Sequence, residues 1–172
     1  MTKRIYKTIL DSPLGEITLA SDGTHLLGLW LPDQKHHGTE LFKNMIHLEN
    51  VSELSIFQQI SEWLEAYFAC QKPGIEHLPL RPIGSEFRQL IWRYLLEIPY
   101  GQTITYGALA NRAAKDLGKR AMSAQAVGGA VGHNPISIII PCHRVIGANG
   151  NLTGYAGGLE KKIWLLEHEK TT

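Results

Sequence analysis

An apolar run that stops at a proline, Ile138-Ile139-Ile140-Pro141, constrains the fold of this chain more than any other feature. Isoleucine favours a pleated surface and proline cannot continue a strand ladder, so the run predicts a buried strand that ends here. Cys142, His143 and Arg144 follow at once, where the backbone has to turn. Because an imidazole and a cation favour the thiolate, the nucleophilic form of cysteine, this segment predicts a reactive thiol.

The composition bounds the class of protein. The chain has 172 residues, of which 44% are hydrophobic and 19% charged, as expected of a globular protein with one large or two small domains. No apolar run approaches the ~20 residues that span a bilayer, and the first residues lack the apolar core of a signal peptide. We therefore expect no membrane association and a cytoplasmic location.

The cysteines and histidines do not form a metal-binding pattern. The two cysteines, Cys70 and Cys142, are far apart in sequence, and no Cys-x-x-Cys pair is present. His36 and His37 are adjacent but have no cysteine or His-Glu-x-x-His context nearby. We expect no metal and no cofactor, and a structural role for Cys70.

The charges divide unequally between the two halves. Residues 1–80 carry six Lys/Arg and ten Asp/Glu, a net of −4, whereas residues 81–172 carry eleven and six, a net of +5. Prolines and glycines between residues 73 and 84 look like a linker. The split predicts two domains, 1–80 and 81–172. The basic one either faces a polyanion or only carries a solvated charged surface.

The N-terminal half predicts a small α/β domain. Alternating apolar residues indicate strands near residues 5–9, 16–20 and 25–31, separated by turn signals. Apolar residues at helical spacing then predict a helix over 55–68.

The C-terminal half predicts short helices around a turn. Ser85, Thr105 and Ser123 are plausible N-caps of three successive helices, and a fourth helix begins near Leu159. Short helix, turn and short helix in a basic domain are typical of a helix-turn-helix. Five of the eight residues of the third helix, 124–131, are alanine or glycine, which brings its backbone close either to another helix or to a DNA groove.

Several motifs in fixed order resemble the O6-alkylguanine-DNA alkyltransferases, also called methylated-DNA–protein-cysteine methyltransferases. They lie within residues 85–169: Tyr106-Gly107-Ala108-Leu109-Ala110, Ala126-Val127-Gly128-Gly129-Ala130, Asn134-Pro135, Pro141-Cys142-His143-Arg144-Val145, Gly154-Tyr155-Ala156-Gly157-Gly158 and Trp164-Leu165-Leu166-Glu167-His168-Glu169. Residues 1–80 match only in general layout. The resemblance implies an α+β protein with a small ribonuclease-H-like α/β domain followed by a winged-helix-like, helix-turn-helix domain.

The resemblance also implies a single-use repair reaction. Cys142 would accept the alkyl group from O6 of guanine in DNA, with activity on O4-methylthymine as well. Glu169 would orient His143, which would deprotonate Cys142 through a water molecule. Tyr106 would donate a proton to the leaving base, and Asn134 would brace the turn at Cys142.

By the same resemblance, a monomer binds duplex DNA in the minor groove and rotates the damaged nucleotide into its pocket. The residues implied for contacts with DNA and base are Gln125, Ala126, Gly128, Arg144, Val145, Tyr155 and Ala156. Many members of the family have arginine where this chain has Gln125, and that arginine wedges into the space left by the base. A glutamine there predicts a weaker wedge, for which Lys119 or Arg120 could compensate.

Two other classes of function fit parts of the pattern. A cysteine hydrolase would use Cys142 with a histidine and regenerate the thiol after each cycle. An alkyltransferase-like protein would bind damaged DNA without reaction, but that class replaces the acceptor cysteine.

Overall fold

A computed structural model describes residues 3–35, 38, 42 and 44–170. The N-terminal half forms a four-stranded sheet in the order β3-β2-β1-β4. Strands β1 (Tyr6–Leu10), β2 (Ile17–Ser21) and β3 (Leu26–Trp30) are antiparallel and confirm the three predicted strands. Strand β4 (Ile46–His47) pairs parallel with β1 and was not predicted, because two exposed residues carry no alternation. His36 and His37 lie outside the described residues.

The helix that follows this sheet is the one that the spacing predicts. It is α1 (Ser55–Phe68), and it contributes to the core the buried side chains of Ile56, Phe57, Ile60, Trp63, Leu64 and Tyr67. Those side chains recur every three or four residues, so they form one apolar face.

The described part of the C-terminal half contains four α-helices. They are α2 (Glu86–Leu96), α3 (Tyr106–Asp116), α4 (Ala124–Gly132) and α5 (Leu159–Lys170). The three predicted N-caps are confirmed, because the side-chain oxygens of Ser85, Thr105 and Ser123 accept hydrogen bonds from amides of the first turn. Helix α4 packs on α2 and α3, so its apolar side is covered by the helices before it.

A small second sheet brings two distant segments together. Strand β5 (Ile104–Thr105) pairs parallel with β6 (Val145–Ile146). Tyr106 follows β5 directly, and the Cys142–Arg144 segment, a 3-10 helix, directly precedes β6. The start of α3 is thereby fixed beside the reactive segment. Strands of two residues leave no periodic signal, so this sheet was not predicted.

The prediction of a strand at Ile138–Ile140 is wrong, although the predicted burial is right. Residues 137–140 form a turn, and Ile138 has φ 69°, in the left-handed region that a β-branched residue rarely adopts. All three isoleucines are at most 2% exposed. The Asn134 side chain causes the turn: its Nδ2 donates to the carbonyls of Ile136 (3.3 Å) and Ile140 (2.8 Å), and its Oδ1 accepts from the Ile136 amide (3.0 Å).

Strand β3 carries the contact between the two halves. It is an edge strand of the four-stranded sheet, and its outer edge is covered by two segments that come later in the chain. Leu26 bridges to Leu80 in the predicted linker, and Leu29 bridges to Ile136 in the C-terminal half. This edge therefore supports the turn that leads to Cys142. Within the described ranges, the chain has no helix long and apolar enough to cross a membrane.

Candidate active site

Cys142 lies in the wall of a small cavity at the junction of the two halves. The cavity has a volume of about 220 Å³, and its lining residues are Lys35, Tyr106, Gly128, Val131, Gly132, Cys142, Gly154, Tyr155 and Ala156. That volume is below the ~300–1,000 Å³ of typical ligand pockets. By volume, the cavity can hold one group of about the size of a nucleobase.

The structure buries the Cys142 thiol, leaving 4% of the residue exposed. This burial raises the pKa of the thiol above its ordinary value, while the Asn134 amide and the charge of Lys162 act in the opposite direction. The raised pKa keeps the group a thiol at neutral pH. Nucleophilic chemistry at Cys142 therefore needs a base that removes the proton.

His143, the residue after Cys142, forms a buried pair with Glu169. His143 Nε2 lies 2.6 Å from Glu169 Oε1, and both side chains are at most 1% exposed. Burial would raise the pKa of Glu169, but hydrogen bonds from His143 and Arg144 outweigh it and hold that pKa well below its ordinary value. An anionic Glu169 accepts from a protonated Nε2, which leaves Nδ1 of a neutral His143 as an acceptor.

His143 is able to act as a base from this position. Burial lowers the pKa of His143 below its ordinary value, although the hydrogen bond and charge of Glu169 oppose that effect. Nδ1 is buried and has no hydrogen-bond partner among the described residues. The imidazole is thus neutral at pH 7 with one nitrogen free to receive a proton.

The Arg144 side chain points to Glu169 and Ile98. We predicted that its cation would activate the thiol and that it would contact DNA or the base. Instead its guanidinium is buried: Nε donates to Glu169 Oε2 (2.8 Å), Nη2 to Glu169 Oε1 (2.9 Å) and Nη1 to the Ile98 carbonyl (2.7 Å). These hydrogen bonds hold the Arg144 guanidinium at Glu169. Both predictions for Arg144 are therefore corrected.

The cation that influences the thiol is Lys162, which the sequence analysis missed. Lys162 is 0% exposed, and its Nζ donates to the carbonyls of Val145 (2.6 Å), Thr153 (3.2 Å) and Gly154 (3.2 Å). It thereby joins α5 to β6 and to the loop that lines the cavity. A signal was available, because Lys162 lies three residues before Leu165 and seven before Glu169 on the buried face of α5.

Two phenols face the cavity. Burial and the proximity of Cys142 raise the pKa values of Tyr106 and Tyr155. The Tyr106 hydroxyl donates to the Thr153 carbonyl at 3.5 Å, a long bond. The Tyr155 hydroxyl is buried beside the side chains of Cys142 and Ser137, whose hydrogen bonds also influence its pKa. Both groups therefore stay protonated and can donate to a molecule in the cavity.

The remaining predicted contact residues lie on two sides of α4 and near β6. Gln125 and Ala126 are exposed in the first turn of α4, outside the cavity lining. Gly128 lies in the cavity wall, where an added Cβ would meet the Tyr106 ring at 3.9 Å. Val145 is fully buried, and its carbonyl is engaged by Lys162.

Lys35 is a second cavity residue that the sequence analysis missed. Its amide donates to the Ala156 carbonyl at 2.7 Å, so the N-terminal half contributes directly to the cavity. Lys161 strengthens the same junction, because its Nζ donates to the carbonyls of Pro32 (2.9 Å) and Gly157 (3.1 Å). No motif marks Lys35, and only the fold brings it to the site.

Comparison with known families assigns the chain. Residues 5–82 match the family model described as "6-O-methylguanine DNA methyltransferase, ribonuclease-like domain". Residues 86–171 match "6-O-methylguanine DNA methyltransferase, DNA binding domain". The chain belongs to this family. The predicted family and the α+β class with these two types of domain are therefore confirmed.

Relatives in the 6-O-methylguanine DNA methyltransferase family match nearly the whole chain. The methylated-DNA–protein-cysteine methyltransferase of Haemophilus influenzae is 40% identical over 96% of this chain and 87% of that protein. The protein of the same name from Methanosarcina acetivorans is 43% identical over 96% of this chain and 98% of its own. A crystal structure of Mycobacterium tuberculosis OGT in complex with DNA has a TM-score of 0.82 and 39% identity, covering 96% of this chain and 93% of that chain.

Proposed function

We propose that this protein repairs DNA by transferring the alkyl group from O6 of guanine, and from O4 of methylthymine, to Cys142. The observation that carries the proposal is a buried thiol in a base-sized cavity, followed in sequence by the buried His143–Glu169 pair. Family membership supports the same reaction. We further propose a monomer acting in the cytoplasm.

The chemistry begins with removal of the thiol proton. We assign His143 as the base, acting through a water molecule, because its buried Nδ1 has no hydrogen-bond partner among the described residues. Glu169 fixes the ring and stabilises the imidazolium that forms. The Cys142 sulfur then attacks the alkyl carbon in line with the C–O6 bond. A carbon–sulfur bond forms, the carbon–oxygen bond breaks, and its electron pair passes to the guanine.

Guanine gains one proton as it leaves, which balances the proton lost by the thiol. We assign its delivery to Tyr106, whose phenol is protonated at the cavity wall. The proton held on His143 returns through water to the Tyr106 phenolate, so both side chains end in their starting state. The product at Cys142 is a thioether, which water does not cleave. Each molecule therefore acts once and is consumed.

DNA binds against the exposed side of α4 and from there reaches the cavity. Its exposed positions include Ala124, Gln125, Ala126 and Gly129, so the helix presents little bulk and its backbone can approach a narrow groove. We assign Gln125 to the space vacated by the rotated nucleotide and Gly128, Tyr155 and Ala156 to the base itself. Duplex DNA with the damaged base turned out of the stack is thus the substrate.

The test is intact-mass measurement after incubation with duplex DNA containing O6-methylguanine. We expect one added methyl group per molecule, located by peptide mapping at Cys142 and absent in Cys142→Ser. The second cysteine, Cys70, provides an internal control because it stays unmodified. No transfer, or a thiol that is regenerated while substrate continues to be consumed, would refute the proposal in favour of a damage-binding protein or a hydrolase respectively.

A further inference from the structure

We propose that Tyr67, in the N-terminal domain, is a positioning residue for alkyl transfer, holding Glu169 and through it His143 in the arrangement that the reaction uses. The inference rests on the proposed function. It assigns a part in the reaction to a residue 102 positions away from Glu169 in sequence, in the half of the chain that lacks the nucleophile.

The contact is direct and buried. The Tyr67 hydroxyl donates to Glu169 Oε1 at 2.8 Å, and Tyr67 is 1% exposed. The same carboxylate oxygen receives His143 Nε2 at 2.6 Å and Arg144 Nη2 at 2.9 Å. Because the phenol and the carboxylate are both buried, loss of the phenol would leave only His143 and Arg144 to compensate the charge on this oxygen.

That redistribution changes the state of His143. The charged groups that face His143 are Glu169 and Lys162 from α5 and Arg144 from its own segment. Glu169 favours the imidazolium, and the two cations disfavour it. A phenol that shares the carboxylate weakens the attraction of Glu169 for a second proton on His143. Tyr67 therefore helps to keep His143 neutral, which is the form that accepts the thiol proton.

The ring of Tyr67 is held from both halves of the molecule. It stacks on Trp63 with centroids 5.4 Å apart and meets the edge of Tyr100 at 5.9 Å. The Tyr67 backbone carbonyl accepts from His168 Nε2 at 2.9 Å. Since these contacts use the ring and the backbone, Tyr67→Phe removes the hydroxyl and retains the packing.

The experiment measures the single-turnover rate of methyl transfer against pH. The acid limb of the profile is the pH range in which the rate falls because His143 becomes protonated. In Tyr67→Phe we expect the midpoint of this limb to shift to higher pH by about half a pH unit to one pH unit. The rate at pH 6 then falls severalfold, while the rate above pH 8 changes little. Replacement of Tyr67 by 3-fluorotyrosine strengthens the donor without loss of packing, and should move the limb in the opposite direction.

Tyr94→Phe is the matched control. It also removes a phenol bonded to a carboxylate, that of Asp116, but this phenol is not among the groups bonded to Glu169, so the limb should stay in place. An acid limb unchanged in both Tyr67 variants, or a rate lowered equally at every pH, would overturn the inference. Failure of the wild-type protein to transfer methyl would instead refute the proposed function.

Discussion

Glu169 is the residue around which the site is assembled. Its carboxylate accepts hydrogen bonds from His143, Arg144 and Tyr67 and, at 3.2 Å, from the Gly101 amide. A buried carboxylate with so many donors stays charged and fixed in place. His143 is consequently held in the tautomer in which Nδ1 can accept a proton.

The resulting prediction concerns the pH dependence of methyl transfer. The pKa of His143 is lowered and that of Cys142 is raised, so neutral imidazole and protonated thiol coexist across neutral pH. The wild-type rate should be flat from about pH 6.5 to pH 8.5 and fall at lower pH as His143 gains a proton.

His143→Gln should lose this plateau. Without the base, only the thiolate reacts, so the rate should fall at least ~100-fold at pH 7 and rise about tenfold per pH unit. Stopped-flow measurement with O6-methylguanine duplexes would check both profiles. A variant with a flat profile would show that another group removes the proton.

Single residues were predictable where a motif marked them and not where burial decided their role. Cys142, His143, Asn134 and Glu169 come from motifs, and the structure brings them together at one turn. Arg144 was misplaced because adjacency in sequence does not show which way a side chain points. Lys162 was missed because a lysine on an apolar helix face is far more often solvated than buried.

At the scale of elements, capping residues and periodicity were reliable. The bounds of α1 follow from the helical spacing of its apolar residues, and the three N-caps follow from residue types that bond to amides of the first turn. The isoleucine run was misassigned because a hydrogen bond from the Asn134 side chain to the Ile140 carbonyl, six residues along the chain, overrode its strand propensity. The two-residue strands β5 and β6 have no pattern long enough to recognise.

Helix α4 leads to a prediction about DNA. Gln125 is exposed in its first turn and carries no charge for a phosphate. Gln125→Arg should tighten binding to duplex DNA and speed methyl transfer from duplexes severalfold, with a steeper loss of affinity as salt rises. Reaction with free O6-methylguanine base should be unchanged, because the wedge acts only on stacked DNA.

Ala124→Arg is the matched control for that change. It adds the same charge one residue earlier, also at an exposed position, but about 100° around the helix. Fluorescence anisotropy and single-turnover rates would separate the two variants. If Gln125→Arg alters neither affinity nor rate, or if Ala124→Arg has an equal effect, Gln125 does not occupy the wedge position.

On the scale of the whole molecule, the two domains share one buried junction. Gln34 is 6% exposed, and its Oε1 accepts from the Leu31 amide (3.0 Å) and from the Ser137 hydroxyl (2.8 Å) of the turn that leads to Cys142. The charge split and the linker predicted two domains, but no sequence signal indicated this contact. It arises because β3 leaves a free edge that the later segment covers.

Because of this junction we expect the two domains to unfold together, and we expect Gln34 to contribute to the stability of both. Gln34→Leu leaves two buried donors, the Leu31 amide and the Ser137 hydroxyl, without their acceptor. The substitution should lower the free energy of unfolding by about 2 kcal/mol. Trp30 and Trp63 in the first half and Trp92 and Trp164 in the second should report one transition in urea, coincident with the loss of methyl transfer.

Gln58→Leu, an exposed change of the same type on α1, should shift the midpoint little. Two separated transitions, or equal midpoints for Gln34→Leu and the wild type, would show that the junction does not couple the domains.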